Sequence, residues 1–260
     1  MRRCVVQRRR GSGRDAVNAR ARPGPAATPV HRVALVSGAN RGLGFEVAHQ
    51  LSATGMTVLL GARDLDKGLI AARRLVGAAG EVVAVQLDVT RQEQVDTLAR
   101  WVDITYGRLD VLVNNAGGYY DHDADASGND LAAAQAAMDT HLYGSWRLTS
   151  AMLPLMRRHR YGRIVNVSSR CGASSSSGPH CVAYRASKAA LNSYTRTLAD
   201  ELDGTGITVN AVCPGWVATD LGGPGGRPVE RGAEGIVWAV SLPSPAPTGR
   251  FFQDGQAIDW

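Results

Sequence analysis

Lysine is almost absent from this sequence, since only Lys67 and Lys188 are lysine among 29 lysines and arginines. Because arginine supplies almost every positive charge, a lysine in this chain indicates a position where an ammonium group suits the chemistry better than a guanidinium. No stretch of about 18 consecutive apolar residues occurs, so no transmembrane helix is predicted. Cys-x2-Cys pairs are also lacking among the four cysteines, which are Cys4, Cys171, Cys181 and Cys213. This argues against a metal site and is typical of reduced thiols in a cytoplasmic protein.

The positive charge of the chain is concentrated in its first 32 residues. That segment contains nine arginines and one aspartate, a charge of +8, whereas the whole chain has a net charge of +6. The other residues therefore carry −2, so the basic pI does not indicate that the folded part binds nucleic acid. Residues 1–31 are rich in Arg, Gly and Pro and lack apolar periodicity. We predict a disordered extension there, followed by one domain over 32–260.

Short β-branched runs alternate with helical segments from residue 32 onward. The first run, Val33–Ser37, is apolar and unbroken, as in a parallel strand that is covered on both faces. Strands joined by single helices form right-handed βαβ units. The pattern predicts a doubly wound α/β fold, with a Rossmann-type parallel sheet between two helical layers. It also predicts one long helix over Leu131–Arg158 and one terminal strand over Arg250–Ile258.

A glycine-rich segment from Gly38 to Gly44 lies between the first strand and the first helix. Backbone without side chains lets a pyrophosphate approach closely, and a helix N-terminus offers unpaired N–H groups and a partial positive charge. Its position directly after a buried strand predicts a dinucleotide-binding loop; a tight turn without a ligand is the alternative. The candidate cofactor contacts here are Gly38, Asn40, Arg41, Gly42, Leu43 and Gly44.

The end of the second strand bears on the choice between NAD and NADP. An NAD-binding enzyme usually has a carboxylate there, which accepts hydrogen bonds from the ribose hydroxyls. Here the strand ends in Arg63, whose guanidinium can pair with a 2′-phosphate, and Arg41 adds a second positive charge. Asp64 comes next, and we expect it to face solvent. NADP(H) is therefore predicted over NAD(H); the alternative is that Arg63 is an ordinary surface charge.

The spacing Gly-x3-Gly-x-Gly within Ser37–Gly44 resembles that of the short-chain dehydrogenase/reductase family, in particular its carbonyl-reductase-like members. The similarity extends over nearly all of residues 32–260. It implies further cofactor contacts at the carboxyl ends of strands, where ligands bind in open α/β sheets. These are Asp88 and Val89 at the adenine, Asn115, Ala116 and Gly117 in an Asn-Asn-Ala-Gly motif, and Pro214, Gly215, Val217 and Thr219 near the nicotinamide.

Tyr184 and Lys188 have the Tyr-x3-Lys spacing of the same family, which places both side chains on one face of a helix. A tyrosine hydroxyl has a pKa of about 10, and a compact ammonium nearby favours the phenolate. The ammonium can also bond the nicotinamide ribose, where a wide guanidinium fits less well, so both residues are also predicted cofactor contacts. The resemblance implies that Ser169 hydrogen-bonds the substrate carbonyl, with Ser168 as the alternative.

His141 stands where the family usually has an asparagine that holds a proton-relaying water. A neutral imidazole can serve in the same way, and would add a titration near pH 6.5. The alternative is a packed histidine with the relay lost.

Together these patterns predict an NADP(H)-dependent enzyme that reduces a ketone or aldehyde to an alcohol, with Tyr184 as general acid and base. The alternative is a non-catalytic NADP-binding regulator on the same fold, although such proteins usually lose the Tyr/Lys pair. The substrate pocket is expected in the loops 118–130, 170–183 and 221–230, with Gly222–Gly226 as a lid. No metal, membrane or nucleic acid is expected as a partner. The resemblance implies a homodimer or homotetramer, paired through the helices predicted over Leu131–Arg158 and Ala183–Asp203.

Overall fold

The computed structural model describes residues 31–118, 121, 126–128, 131–178 and 180–260. Its eight strands are β1 Val33–Val36, β2 Thr57–Ala62, β3 Val82–Gln86, β4 Val111–Asn114, β5 Gly162–Val167, β6 Ile207–Val212, β7 Phe251–Gln253 and β8 Gln256–Ile258. The α-helices are α1 Gly42–Ala53, α2 Leu65–Arg73, α3 Gln92–Tyr106, α4 Leu131–Met138, α5 Gly144–His159, α6 Val182–Glu201 and α7 Val229–Ser241. A π-helical turn, Asp139–Tyr143, joins α4 to α5, and a 3-10 turn, Arg170–Gly172, follows β5.

The strands form one sheet in the order β3-β2-β1-β4-β5-β6-β7-β8. Neighbouring strands are parallel from β3 to β7, and Leu35 of β1 pairs with Leu59 on one side and with Leu112 on the other. From β1 the chain adds strands on one side, up to β3, and then returns to add β4 on the other side. Such a change in strand order opens a crevice at the carboxyl ends of β1 and β4. The predicted doubly wound α/β fold is confirmed.

Apolar side chains on both faces of the sheet explain why its strands read as unbroken apolar runs. Leu35 belongs to a buried cluster with residues of α3, α5 and α6. Its neighbours Ala34 and Val36 belong to a second buried cluster with residues of α1 and α7. Alternate side chains of one strand thus enter two different cores, one on each face of the sheet.

The prediction of one terminal strand over Arg250–Ile258 was wrong. Two short antiparallel strands, β7 and β8, occupy this segment, with Gln253 paired to Gln256. The turn between them is Asp254-Gly255, whose φ angles are +51° and +76°. Two consecutive positive φ angles are those of the tight hairpin turn for which Asp-Gly is a preferred sequence.

The helix predicted over Leu131–Arg158 is present, but it is not α-helical throughout, because the π-helical turn Asp139–Tyr143 lies between α4 and α5. Inside this turn the carbonyl of His141 accepts a hydrogen bond of 2.7 Å from the Ser145 hydroxyl. Directly after the turn, a Cβ at Gly144 would lie 2.6 Å from Cγ2 of Val89, so only glycine admits this approach. Single π turns within α-helices occur frequently at functional sites.

The predicted extension, residues 1–31, lies outside the described residues except for His31. Within the described ranges no helix is long and apolar enough to cross a membrane. The same part of the chain contains no group of three or more His, Cys, Asp and Glu side chains that could hold a metal ion.

Candidate active site

The loop between β1 and α1 has a backbone that only glycine allows at several points. Gly38 and Gly42 have φ angles of +64° and +56°, a region that side chains disfavour. A Cβ at Gly44 would lie 2.4 Å from Nδ2 of Asn115 and 2.5 Å from the carbonyl oxygen of Gly38. Arg41 precedes α1 without a side-chain cap, and the first turn of the helix contains no acidic residue. The N–H groups of this turn are therefore open to an anionic ligand.

Asn115 holds this glycine loop against the segment that follows β4. Its Nδ2 donates hydrogen bonds to the carbonyl oxygens of Ser37, at 2.9 Å, and of Gly38, at 3.1 Å. The Ser37 hydroxyl oxygen in turn accepts from the N–H groups of Asn115 and Ala116, both at 3.0 Å. The structure therefore brings the glycine loop and the Asn-Asn-Ala-Gly motif together. Our sequence reasoning did not single out Ser37, whose only signal is its place directly after a buried strand.

Arg63 follows the last residue of β2, and its side chain is exposed. Within the described chain it makes no hydrogen bond or ion pair. Its neighbour Asp64 caps α2, because its carboxylate accepts from the N–H of Lys67 at 3.2 Å and lies 3.4 Å from the Lys67 ammonium. These contacts hold the pKa of Asp64 below its usual value. Asp64 thus bonds to Lys67 of α2, and Arg63, directly after β2, is a cation without an ion-pair partner among the described residues.

Arg41, the second predicted cation at the cofactor, forms an ion pair with Asp220. Its guanidinium lies 2.5 Å from the carboxylate of Asp220 in the loop that follows β6, and both side chains are exposed. A Cβ at Gly42 would lie 3.5 Å from the methyl group of Thr219 in the same loop. Two predicted cofactor segments, far apart in sequence, therefore meet at the glycine loop.

The predicted adenine contacts Asp88 and Val89 directly follow β3 and Leu87. One carboxylate oxygen of Asp88 accepts from the N–H of Thr90 at 3.0 Å and from its hydroxyl at 2.7 Å. The backbone N–H of Asp88 donates to the side chain of Gln94 at 2.8 Å. These contacts fix the backbone at the carboxyl end of β3, the edge of the sheet that also carries the glycine loop.

The loop that follows β6 contains the remaining predicted cofactor contacts, Pro214, Gly215, Val217 and Thr219. The hydroxyl oxygen of Thr219 accepts from the N–H of Gly222 at 3.2 Å. The segment Gly222–Gly226, predicted as a lid, folds back on the residues that precede it, because a Cβ at Gly222 would lie 2.2 Å from the carbonyl oxygen of Val217. Opening of this segment over a substrate stays a prediction.

Tyr184 and Lys188 lie one turn apart on α6, and both side chains are buried. The Lys188 ammonium is 5.6 Å from the centre of the Tyr184 ring and donates a hydrogen bond of 2.8 Å to the carbonyl oxygen of Val167 at the end of β5. Burial lowers the pKa of Lys188 to about 8. The ammonium is thus held at a defined point beside the tyrosine.

The two candidate serines differ in what their hydroxyl groups do. Ser168 is buried, and its hydroxyl donates to the side-chain oxygen of Asn192 at 2.6 Å. Ser169 is half-buried and accepts a hydrogen bond from the N–H of Cys171 at 3.2 Å. Accepting leaves the hydroxyl proton of Ser169 available to a substrate oxygen. The geometry therefore favours Ser169 over Ser168 as the residue that donates to a carbonyl.

The hydrogen-bond network around His141 assigns its tautomer. Nδ1 of His141 lies 2.8 Å from the hydroxyl oxygen of Ser187, and that hydroxyl donates its proton to the carbonyl oxygen of Tyr184 at 2.8 Å. Because a hydroxyl has one proton, Nδ1 must carry the hydrogen and donate it to Ser187. Nε2 is therefore a lone pair, and in the described chain it is buried without a hydrogen-bond partner. It lies 3.2 Å from the position of a Cβ on Gly117.

The expectation that His141 titrates near pH 6.5 was wrong. Its side chain is 1% exposed, and burial, together with the positive charge of Lys188, lowers its pKa to about 2. The ring lies edge-on to that of Tyr184, with 5.6 Å between the ring centres. His141 is thus a neutral imidazole beside the tyrosine–lysine pair over the whole range in which enzymes usually operate.

Comparison with known proteins connects this geometry to a family. A family model described as short chain dehydrogenase matches residues 32–227. Over 191 residues the chain is 38% identical to a 3-oxoacyl-(acyl-carrier-protein) reductase from Synechocystis, which covers 73% of this chain and 76% of that protein. A structure of an actinorhodin polyketide ketoreductase variant with NADPH superposes with a TM-score of 0.79 at 31% identity, covering 88% of this chain and 97% of that one. Salutaridine reductase from Papaver somniferum superposes with a TM-score of 0.75 at 30% identity, covering 86% of this chain and 100% of that one.

Proposed function

This chain belongs to the short-chain dehydrogenase/reductase family, and from that premise we propose that it uses NADPH to reduce a ketone or aldehyde carbonyl to an alcohol. It is an NAD(P)-dependent oxidoreductase that acts on CH–OH groups. The observation that carries the finer proposal is the buried cluster on α6, where the Lys188 ammonium lies 5.6 Å from the ring of Tyr184. Such a pair supplies the proton that carbonyl reduction requires.

The carboxyl edge of the sheet fits a dinucleotide with a 2′-phosphate. Bare backbone at Gly38, Gly42 and Gly44 and the uncapped start of α1 match a pyrophosphate. The exposed guanidinium of Arg63, free of partners within the described residues, matches a 2′-phosphate. When bound, NADPH supplies the hydride that adds to the carbonyl carbon. The similar actinorhodin polyketide ketoreductase variant was solved with NADPH, and this supports NADPH as the cofactor of this chain.

Ser169 and Tyr184 act on the carbonyl oxygen of the substrate. The Ser169 hydroxyl donates a hydrogen bond to this oxygen and orients it. Tyr184 then donates its phenolic proton to the same oxygen as negative charge develops there. The buried Lys188 ammonium stabilises the phenolate that remains, and a charge removed from water acts more strongly than an exposed one. General acid catalysis of this kind contributes about 10²- to 10⁴-fold.

We propose that His141 holds the water through which Lys188 exchanges protons with solvent. A buried acceptor without a donor costs about 1–3 kcal/mol, and a water that donates to Nε2 of His141 removes that cost. The ring itself keeps its proton on Nδ1 throughout, because Ser187 fixes the tautomer. The lone pair on Nε2 of His141 therefore accepts a hydrogen bond from the water, and the ring stays neutral.

Replacing Tyr184 by phenylalanine tests the proposal. NADPH oxidation is measured against a panel of ketones and aldehydes, and NADPH binding is measured separately by fluorescence titration. We expect kcat of Tyr184→Phe to fall by about 10³-fold, within the usual range for loss of a general acid, while the Kd for NADPH changes less than about twofold. The control is Tyr106→Phe at the C-terminal end of α3, which precedes the start of β4 and so lies toward the opposite edge of the sheet from the site; this variant should retain activity.

Two outcomes contradict parts of the proposal. Substantial turnover by Tyr184→Phe removes this residue from the chemical step. A wild-type chain that binds NADPH tightly and oxidises it with no carbonyl of the panel favours the nucleotide-binding regulator instead.

A further inference from the structure

Helix α6, which carries Tyr184 and Lys188, begins without a local cap. The residue before it, Cys181, has φ +64° and ψ +43°, a left-handed conformation, and its side chain makes no capping hydrogen bond. An N-cap side chain reaches the N–H groups of the second and third helical residues from an extended backbone, which Cys181 does not have. These N–H groups of α6 need a partner from elsewhere in the chain.

Asp121 supplies that partner from the segment that follows β4. One of its carboxylate oxygens accepts from the N–H of Ala183 at 2.8 Å, and the other accepts from the N–H of Tyr184 at 3.1 Å. Ala183 and Tyr184 are the second and third residues of α6, so the carboxylate takes the two bonds that a local cap would take. Both bonds involve a charged acceptor, which makes them stronger than bonds between neutral groups, and negative charge is favourable at a helix N-terminus.

The position of Asp121 in the fold gives this cap a consequence beyond helix stability. A local cap stabilises a helix but does not tie it to another element. Asp121 lies four residues after Gly117, in the segment that leaves the carboxyl end of β4 with the Asn-Asn-Ala-Gly motif. One of its two bonds goes to the backbone of Tyr184 itself. The carboxylate thus connects the catalytic tyrosine to the predicted cofactor segment by a single side chain.

We propose that Asp121 is a positioning residue for the reaction, which holds Tyr184 at the correct distance from the substrate carbonyl that Ser169 orients. This inference rests on the proposed function. Misplacement of a reacting group by about 1 Å can lower a rate by about 10²-fold. Asparagine at position 121 retains one acceptor oxygen and loses the charge, whereas alanine retains neither, so the two variants should form a graded series.

Steady-state kinetics with the full chain at saturating NADPH tests this role. We expect kcat to fall by about tenfold in Asp121→Asn and by about 100-fold in Asp121→Ala, in line with the cost of misplacement. The Kd for NADPH should stay within about twofold, since the glycine loop and Arg63 are untouched. The control is Val95→Ala in α3, which removes buried apolar contacts and lowers thermal stability at a residue outside both α6 and the segment that follows β4; its kcat should stay within about twofold.

Amide hydrogen exchange over residues 181–187 of the chain without cofactor gives a second measurement that needs no turnover. The N–H groups of Ala183 and Tyr184 should exchange at least about tenfold faster in Asp121→Ala, because they lose their acceptor, and at the wild-type rate in Val95→Ala. Unchanged exchange contradicts the contact. A kcat of Asp121→Ala within twofold of wild type, or a loss that Val95→Ala reproduces at equal melting temperature, overturns the positioning role. If the wild-type chain shows no turnover, the proposed function is contradicted, and with it the role of Asp121 in positioning Tyr184 for the reaction. The amide exchange rates do not change that conclusion.

Discussion

Replacing His141 by asparagine should remove a pH dependence of stability that the buried ring imposes on the fold. In the folded chain, burial and the charge of Lys188 lower the pKa of His141 to about 2, whereas an unfolded histidine has a pKa of about 6.5. Between these two values only the unfolded state takes up the proton. The free energy of unfolding therefore falls as the pH drops below about 6.5, and this cost is absent at higher pH.

The size of the effect follows from the distance to the unfolded pKa. At pH 5, uptake of a proton by the unfolded histidine lowers the free energy of unfolding by ~2 kcal/mol, from 1.36 kcal/mol per pH unit. Urea unfolding at pH 8 and at pH 5 measures this quantity for the wild-type chain and for His141→Asn. The loss of stability between the two pH values should be ~2 kcal/mol smaller in the variant. All other titrating groups contribute to both chains and cancel in the comparison.

Leu148→Ala is the matched control, because it removes a buried side chain of the neighbouring helix α5 and changes no titratable group. Its loss of stability between pH 8 and pH 5 should match that of the wild type. The same loss in His141→Asn as in the wild type would refute the buried, neutral ring. That result would also remove the argument that Nε2 holds a relay water as a permanent lone pair.

Two further predictions concern the predicted cofactor contacts. Arg63→Ala should raise the Kd for NADPH about 10- to 100-fold, because it removes hydrogen bonds to a charged group. The Kd for NADH should stay within about twofold. Fluorescence titration measures both values, and an equal loss of affinity for the two cofactors would contradict a 2′-phosphate contact. Gly44→Ala should lower the free energy of unfolding by about 1–3 kcal/mol and abolish NADPH binding, because a Cβ would lie 2.4 Å from Nδ2 of Asn115. Gly235→Ala in α7 is its control, since no atom lies closer than 3.8 Å to a Cβ there, and a melting temperature of Gly44→Ala equal to that of this control would disprove the clash.

Features that depend on neighbouring residues were predictable from the sequence. The apolar run of β1 indicated a strand covered on both faces, and the spacing of Gly38, Gly42 and Gly44 indicated a turn into a helix. The spacing of Tyr184 and Lys188 predicted one helix face, because a helix places residues four apart together. The doubly wound order of the sheet followed from the alternation of strands and helices. Element ends were less accurate, and the Asp254-Gly255 hairpin was missed although its turn residues were present.

Features that depend on distant contacts needed the folded chain. Asp121 caps α6 across 62 residues, and Arg41 reaches Asp220 across 179 residues, so no local pattern marks either contact. The π-helical turn at His141 could not be separated from an ordinary helix by its sequence.

By itself the sequence determined which chemical groups are available at the carboxyl edge of the sheet, since glycine spacing and the Tyr-x3-Lys pattern follow from local geometry. Only the tertiary structure decided their states: a histidine that stays neutral, a lysine whose pKa falls to about 8, and a serine that keeps a proton to donate. The physical reason is that protonation and hydrogen bonding depend on burial and on neighbours from other elements, which exist only after the chain has folded.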